Sequence, residues 1–70
     1  MAAIKVSLNG EPTDADDARP LAEQLGNWGY PAKQPLAVAV DGRLVPSADR
    51  DRLQLAAGSQ IEVFSVRQGG

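Results

Sequence analysis

The stretch Leu36-Ala37-Val38-Ala39-Val40-Asp41-Gly42-Arg43-Leu44-Val45-Pro46 decides the fold. Its first five residues are all apolar, large at 36, 38 and 40 and small at 37 and 39, which fits an interior strand. Asp41-Gly42 then readily takes the positive backbone angles of a two-residue hairpin turn, so residues 43–45 return antiparallel until Pro46 stops them.

Toward the N-terminus, Ile4, Val6 and Leu8 alternate with Lys5 and Ser7, the two-residue period of a strand with one buried face. Asn9-Gly10 is a second hairpin signal. Residues 11–13 are expected to return as a short strand, with Pro12 confining it to an edge. The acidic residues 14–18 precede Pro20 and are expected to form a helix entrance, where carboxylates face the positive end of the dipole. Leu21, Leu25 and Trp28 fall on one helical face, with Glu23, Gln24 and Asn27 expected to point elsewhere. This spacing makes Trp28 a core residue rather than a ligand contact. Gly26, Gly29 and Pro31 limit the helix to about two and a half turns.

Toward the C-terminus, Ser47 is expected to cap a single helical turn containing Ala48, Asp49 and Arg50. Leu53 and Leu55 suggest a short strand, Gly58-Ser59 a turn, and residues 61–66 the last strand. On that strand Ile61 and Val63 share one face, Phe64 and Val66 the other. The order hairpin, helix, hairpin, short element, strand predicts an α+β domain: a mixed four- to five-stranded sheet with one main helix packed on one face. The opposite face must then meet solvent or a partner.

Composition narrows the chemistry. Seventy residues make one small domain, and 43% apolar with 23% charged residues lies within the globular range. With no cysteine and no histidine, disulfides, thiolate zinc sites, imidazole ligands and the usual general base are excluded. A net charge of −2 and a pI near 4.8 argue against nucleic acid as a partner. No apolar run approaches the roughly 20 residues that span a bilayer, so the expectation is a cytoplasmic protein with no membrane partner. The carboxylates lie in loops or on exposed parities, where a solvated role is the usual one. Asp14, Asp16 and Asp17 lack the glycine and distant glutamate of a calcium loop, and no glycine-rich phosphate loop is present.

The remaining distinctive feature is Gly69-Gly70 at the end of the sequence. A frayed end is the plain alternative. The functional reading rests on what glycine lacks: with no Cβ, the pair can thread a narrow channel and bring a terminal carboxylate to a nucleotide held by a partner. A carboxylate resists nucleophiles, whereas its adenylate is an activated acyl group that can exchange oxygen for sulfur or pass to an amine. The chain divides accordingly into a folded unit, 1–66, and a flexible tail, 67–70.

The segments 4–8, Pro20-Leu21-Ala22-Glu23-Gln24-Leu25-Gly26, 36–46, Gly58-Ser59-Gln60-Ile61-Glu62-Val63 and Gly69-Gly70 together resemble the ThiS family, the sulfur carriers of thiamine biosynthesis. The resemblance covers almost the whole chain. It departs at Asp41, where asparagine is common, after Pro46, where a frequent aromatic is missing, and at the polar Arg67-Gln68. It implies a ubiquitin-like β-grasp fold with the first and last strands adjacent and parallel. It also implies a carrier that is not itself an enzyme. A ThiF-like adenylating enzyme, holding ATP and a metal ion, activates Gly70; a cysteine-derived sulfur donor converts it to a thiocarboxylate; thiazole synthase consumes the sulfur. The carrier binds no cofactor of its own. Gly69, Gln68 and Arg67 would thread the partner's channel. The small subunit of molybdopterin synthase, another ubiquitin-like carrier, and a protein modifier that forms isopeptide bonds are the alternatives, and an interaction module with an inert tail is a further one.

Phe64 shares its parity with Glu62, so it is expected to face outward and, with Val66, to offer the adenylating partner an apolar anchor. Core packing with the parity inverted is the other reading.

Overall fold

The structure is a computed structural model and describes residues 3–30 and 35–65. Strand β1 (Ala3–Leu8) turns through Asn9-Gly10 into β2 (Glu11–Asp16). Helix α1 (Leu21–Asn27) follows, then β3 (Leu36–Val40), β4 (Arg43–Leu44), a 3₁₀ turn at Ser47–Asp49 and β5 (Gln60–Ser65). The five strands form one sheet in the order β2-β1-β5-β3-β4. The first and last strands are neighbours and run parallel, pairing Ser7 with Gln60 and Leu8 with Ile61. Every other pairing is antiparallel. Among the described residues no helix is long and apolar enough to cross a membrane.

Both hairpins close as their dipeptides dictate. Asn9 and Gly10 have φ of 51° and 87°, and Asp41 and Gly42 have φ of 52° and 85°, the left-handed pair that matches the twist of the flanking strands. Asparagine, aspartate and glycine tolerate this region with least penalty.

The strand after the first turn is longer than expected. Residues 14–16 extend β2 instead of opening the helix, because β1 supplies six consecutive partners, from Leu8↔Glu11 to Ala3↔Asp16. Ala15 turns inward and is buried, while Asp14 on the other face pairs with Lys5 across the strands. Pro12 does sit on an edge strand. Asp16 shapes the connection to the helix: its Oδ1 accepts the Ala18 amide at 2.9 Å, and its carboxylate lies beside Arg19.

Pro20 occupies the cap position of α1, not its first turn, and no side chain caps the helix. The unpaired amides of that first turn find carbonyls from a distant segment: Leu21 N–H donates to Leu53 O at 2.7 Å and Ala22 N–H to Arg50 O at 2.9 Å. The Leu53 carbonyl is therefore spent on the helix. In place of the short strand expected there, the structure has one isolated bridge, Pro20↔Gln54. The helix ends in a paired-bond cap at Gly29, with Tyr30 N–H donating to Leu25 O and Gly29 N–H to Gly26 O. Ser47 begins the 3₁₀ turn rather than capping it; Pro46 takes the cap position.

Leu21 and Leu25 meet Val6, Ala15, Val38, Leu55 and Ile61 in one core between the helix and a single face of the sheet. Trp28 is half-buried against this core, and its indole N–H donates to Asp14 O at 3.2 Å. Gln24 does not point outward as expected: it is 2% exposed. Its amide lies within the core-facing sector of the helix, where it satisfies the carbonyls of Asp16 at 2.6 Å and Arg19 at 3.5 Å. A buried amide is tolerated because it closes the loop that leads into the helix.

Leu21 is wholly buried; Leu21→Ala is expected to cost about 3 kcal/mol or more, measured by urea denaturation. Leu44, on the opposite face, is expected to change stability by less than about 0.5 kcal/mol when replaced by alanine.

Candidate functional site

The register fixes which side chains share a face. Ile61 and Val63 on β5, opposite Val40 and Val38, look toward the helix. Glu62 and Phe64, opposite Ala39 and Ala37, look the other way, and Leu44 joins them because it pairs with Ala39. Phe64 is 52% exposed and Leu44 73%, the two large apolar side chains that stand out from the surface among the described residues. The small residues 37 and 39 lie between them. Ala39 is buried yet lies outside the core cluster, consistent with its position on the outer face. The outer face thus carries Phe64, the two alanines and Leu44 across β5, β3 and β4, interrupted by Glu62 opposite Ala39, and is charged across β1 and β2, where Lys5 and Asp14 pair.

Phe64 stands where the sequence parity puts it, facing outward. Leu44 was not singled out from the sequence. Its signal was available: the two-residue turn at Asp41-Gly42 places Leu44 opposite Ala39 and so on the outer parity. Val66, Arg67, Gln68, Gly69 and Gly70, the other residues singled out as partner surface and tail, lie outside the described residues.

The strand that leads to them is held from both sides by the hairpin turns. Asp41 Oδ1 accepts the Gln60 amide at 2.9 Å, while the Asp41 amide donates to Gln60 O at 2.8 Å. On the other side Asn9 Oδ1 accepts the Val63 amide at 2.8 Å, and the Asn9 amide donates to Ile61 O at 2.8 Å. The two positive-φ turn residues therefore do double duty, reversing their own hairpins and gripping the strand between them. Asn9 also approaches Tyr30, its Nδ2 lying 3.5 Å from the phenolic oxygen.

No group of three or more acidic side chains that could hold a metal exists among the described residues. A cleft of about 640 Å³ opens between the β3–β4 hairpin and the 3₁₀ turn, floored by Val40, Val45, Pro46 and Leu53. Of the charged groups that line it, Arg52 pairs with Asp49 and Asp41 accepts the Gln60 amide, while Arg43 lies at its wall. The cleft also lies at the Val40 end of β3, away from Leu36, which faces Ser65 at the end of β5. Among the described residues Arg19 is the one group held clearly off its ordinary protonation range: a hydrogen bond from its guanidinium to Glu23, then the charges of Glu23 and Asp16, raise its pKa. That keeps a surface cation charged and creates no acid or base.

The chain matches the model of the ThiS family over residues 6–70. Among solved structures it is similar to a thiamine biosynthesis protein (ThiS) from Geobacter metallireducens, with 20% sequence identity and a TM-score of 0.80, covering 96% of this chain and 100% of that one. At that identity the likeness bears on the fold, which it shares as a β-grasp. No curated protein matches the chain.

The grip on β5 has a measurable consequence. Asp41→Gly removes an acceptor while easing the turn, and is expected to destabilise by about 1 kcal/mol, whereas Asp41→Asn keeps the acceptor and should stay within about 0.5 kcal/mol of the parent. Chemical denaturation of the two variants makes the comparison.

Proposed function

We propose that this chain, which belongs to the ThiS family, is a sulfur carrier for thiazole formation in thiamine biosynthesis, and that its reactive group is the main-chain carboxylate of Gly70. In this reading residues 1–66 are the folded β-grasp unit and residues 67–70 the tail that enters a partner's site. A ThiF-like adenylating enzyme supplies ATP and its metal ion. The Gly70 carboxylate attacks the α-phosphorus, pyrophosphate leaves, and an acyl adenylate forms. A donor persulfide whose outer sulfur derives from cysteine then attacks the acyl carbon and AMP departs, leaving an acyl disulfide. A thiol attacks the donor-side sulfur, the S–S bond breaks to give a donor disulfide, and the thiocarboxylate that remains on Gly70 is consumed by thiazole synthase.

The observation that carries this reading is the family match across residues 6–70, which includes the strand β5 and the two glycines that follow it. The arrangement of the described residues agrees with it. A carrier needs a firmly held strand leading to its tail and a surface by which an enzyme can seize it. β5 is gripped on both sides, and the outer face offers Phe64 and Leu44 beside it. Gly69 supplies the narrow approach, with Gln68 and Arg67 along the channel and Phe64 and Val66 on the partner surface. A carrier of this kind does its chemistry in the backbone, so a domain with neither histidine nor cysteine suffices.

The test is incubation of the chain with ATP, a cysteine-derived sulfur donor and the adenylating enzyme, followed by intact-protein mass spectrometry. The expected product has one oxygen exchanged for sulfur at the C-terminus. Deleting Gly70 should leave the circular dichroism unchanged and abolish the adenylate; a deletion variant that is still adenylated would contradict the assignment. Adducts on the lysines of other proteins would instead mark a modifier, and sulfur passed to a molybdopterin precursor would mark the small subunit of molybdopterin synthase.

A truncation of the apolar surface adds an independent check. Phe64→Ala combined with Leu44→Ala is expected to weaken binding to the adenylating enzyme by at least about tenfold, measured by calorimetry, with the fold retained.

A further inference from the structure

The register that holds β5 also leaves part of it open. β1 pairs with β5 only at Ser7↔Gln60 and Leu8↔Ile61, then turns away at Asn9. β5 runs on for residues that β1 never reaches. The Asn9 amide on Ile61 O and the Asn9 carboxamide on the Val63 amide establish that the odd-numbered backbone groups of β5 face the β1 side. The even-numbered groups face β3, which pairs the strand out to Leu36↔Ser65. Strand alternation therefore directs the Val63 carbonyl and the Ser65 amide toward the β1 side, beyond the point where Asn9 has ended the pairing. Among the described residues neither has a partner, and Phe64 and Ser65 are exposed.

We infer that this open edge, Val63 to Ser65, receives an extended backbone segment of the adenylating enzyme, which adds to the sheet as a short strand beside β5. The inference rests on the proposed carrier role and deepens it by naming how the partner takes hold. Three features favour that occupant. An unpaired donor and acceptor alternating along a strand are a template for another backbone. The edge sits immediately before residues 66–70, so a segment that pairs with it is aligned to continue along the tail toward Gly70. Asn9 gives the edge a defined start: its side chain fills the place of the next β1 residue at Val63, so an incoming strand has one register in which to begin. Phe64, on the outer face, and the backbone edge then present two different kinds of contact to the same enzyme.

Ser65→Pro separates these contacts. Proline removes the Ser65 amide and keeps the extended backbone, and the bond it deletes faces away from β3, so the internal ladder is untouched. Ser65→Ala keeps the amide and controls for the hydroxyl. With the adenylating enzyme as the probe, Ser65→Pro is expected to bind about tenfold more weakly and Ser65→Ala like the parent. In the parent, hydrogen exchange at the Ser65 amide should be fast in the free protein and slowed at least about tenfold in the complex, a readout that stands even if the proline variant fails to fold. Equal binding by a folded Ser65→Pro, or no protection of Ser65 in the complex, would overturn the inference while leaving the carrier role intact, since adenylation of Gly70 would persist. Protection that appears in the free protein as its concentration rises would identify a second copy of the chain as the occupant and would also overturn it. A parent chain that neither binds nor is adenylated would remove the carrier reading and this inference together.

Discussion

The structure depends on the insertion of β5 between two hairpins that are distant from it in sequence. β5 is the last of the described elements and lies in the middle of the sheet, parallel to β1 and antiparallel to β3. Its inner face supplies Ile61, 1% exposed, to the core that Leu21 and Leu25 close from the helix. Burial of apolar side chains on that one face sets the strand's register, because a slip of one residue would exchange Ile61 and Val63 for Glu62 and Phe64. The turn side chains of Asn9 and Asp41 then satisfy the Val63 amide within the strand and the Gln60 amide at its start. A small domain with no cysteine to cross-link it is in this way closed by β5.

Much of this was legible because the deciding signals are local. Asn9-Gly10 and Asp41-Gly42 each fix a hairpin through positive backbone angles, and the alternation on either side names the buried face. The outward position of Phe64 followed from the parity it shares with Glu62. Other features depended on partners that no local pattern reveals. Asp14 and Asp16 have poor strand propensity and read as a helix entrance, but six cross-strand partners on β1 outweigh propensity. Gln24 is polar and read as exposed, yet two carbonyls of the loop before the helix receive its amide. Leu53 and Leu55 looked like a strand, while the Leu53 carbonyl serves the first turn of α1 and Gln54 makes one bridge to Pro20. The open edge at Val63 and Ser65 was illegible for the same reason: it exists only because β1 leaves the sheet two residues after it meets β5.

The site divides along the same line. Its scaffold consists of side chains and ladders that hold a strand in place, and in the proposed reading its chemistry belongs to the backbone that follows. A protein with this arrangement needs no tuned acid, base or metal of its own, and the one protonation shift among its described residues, at Arg19, sits on the surface far along the chain from the last strand. In the proposed reading the fold contributes orientation: Phe64 and Leu44 on the outer face and a strand end would point an enzyme toward the residues beyond Ser65.

The central claim is that the reacting group is a main-chain carboxylate carried by an otherwise inert domain. A semisynthetic chain ending in a Gly70 carboxamide tests it most directly, with transfer of nucleotide from ATP labelled on the α-phosphate as the readout. The account predicts a normally folded protein that binds the adenylating enzyme and acquires no label. Labelling of the amide form to the extent of the native chain would contradict it.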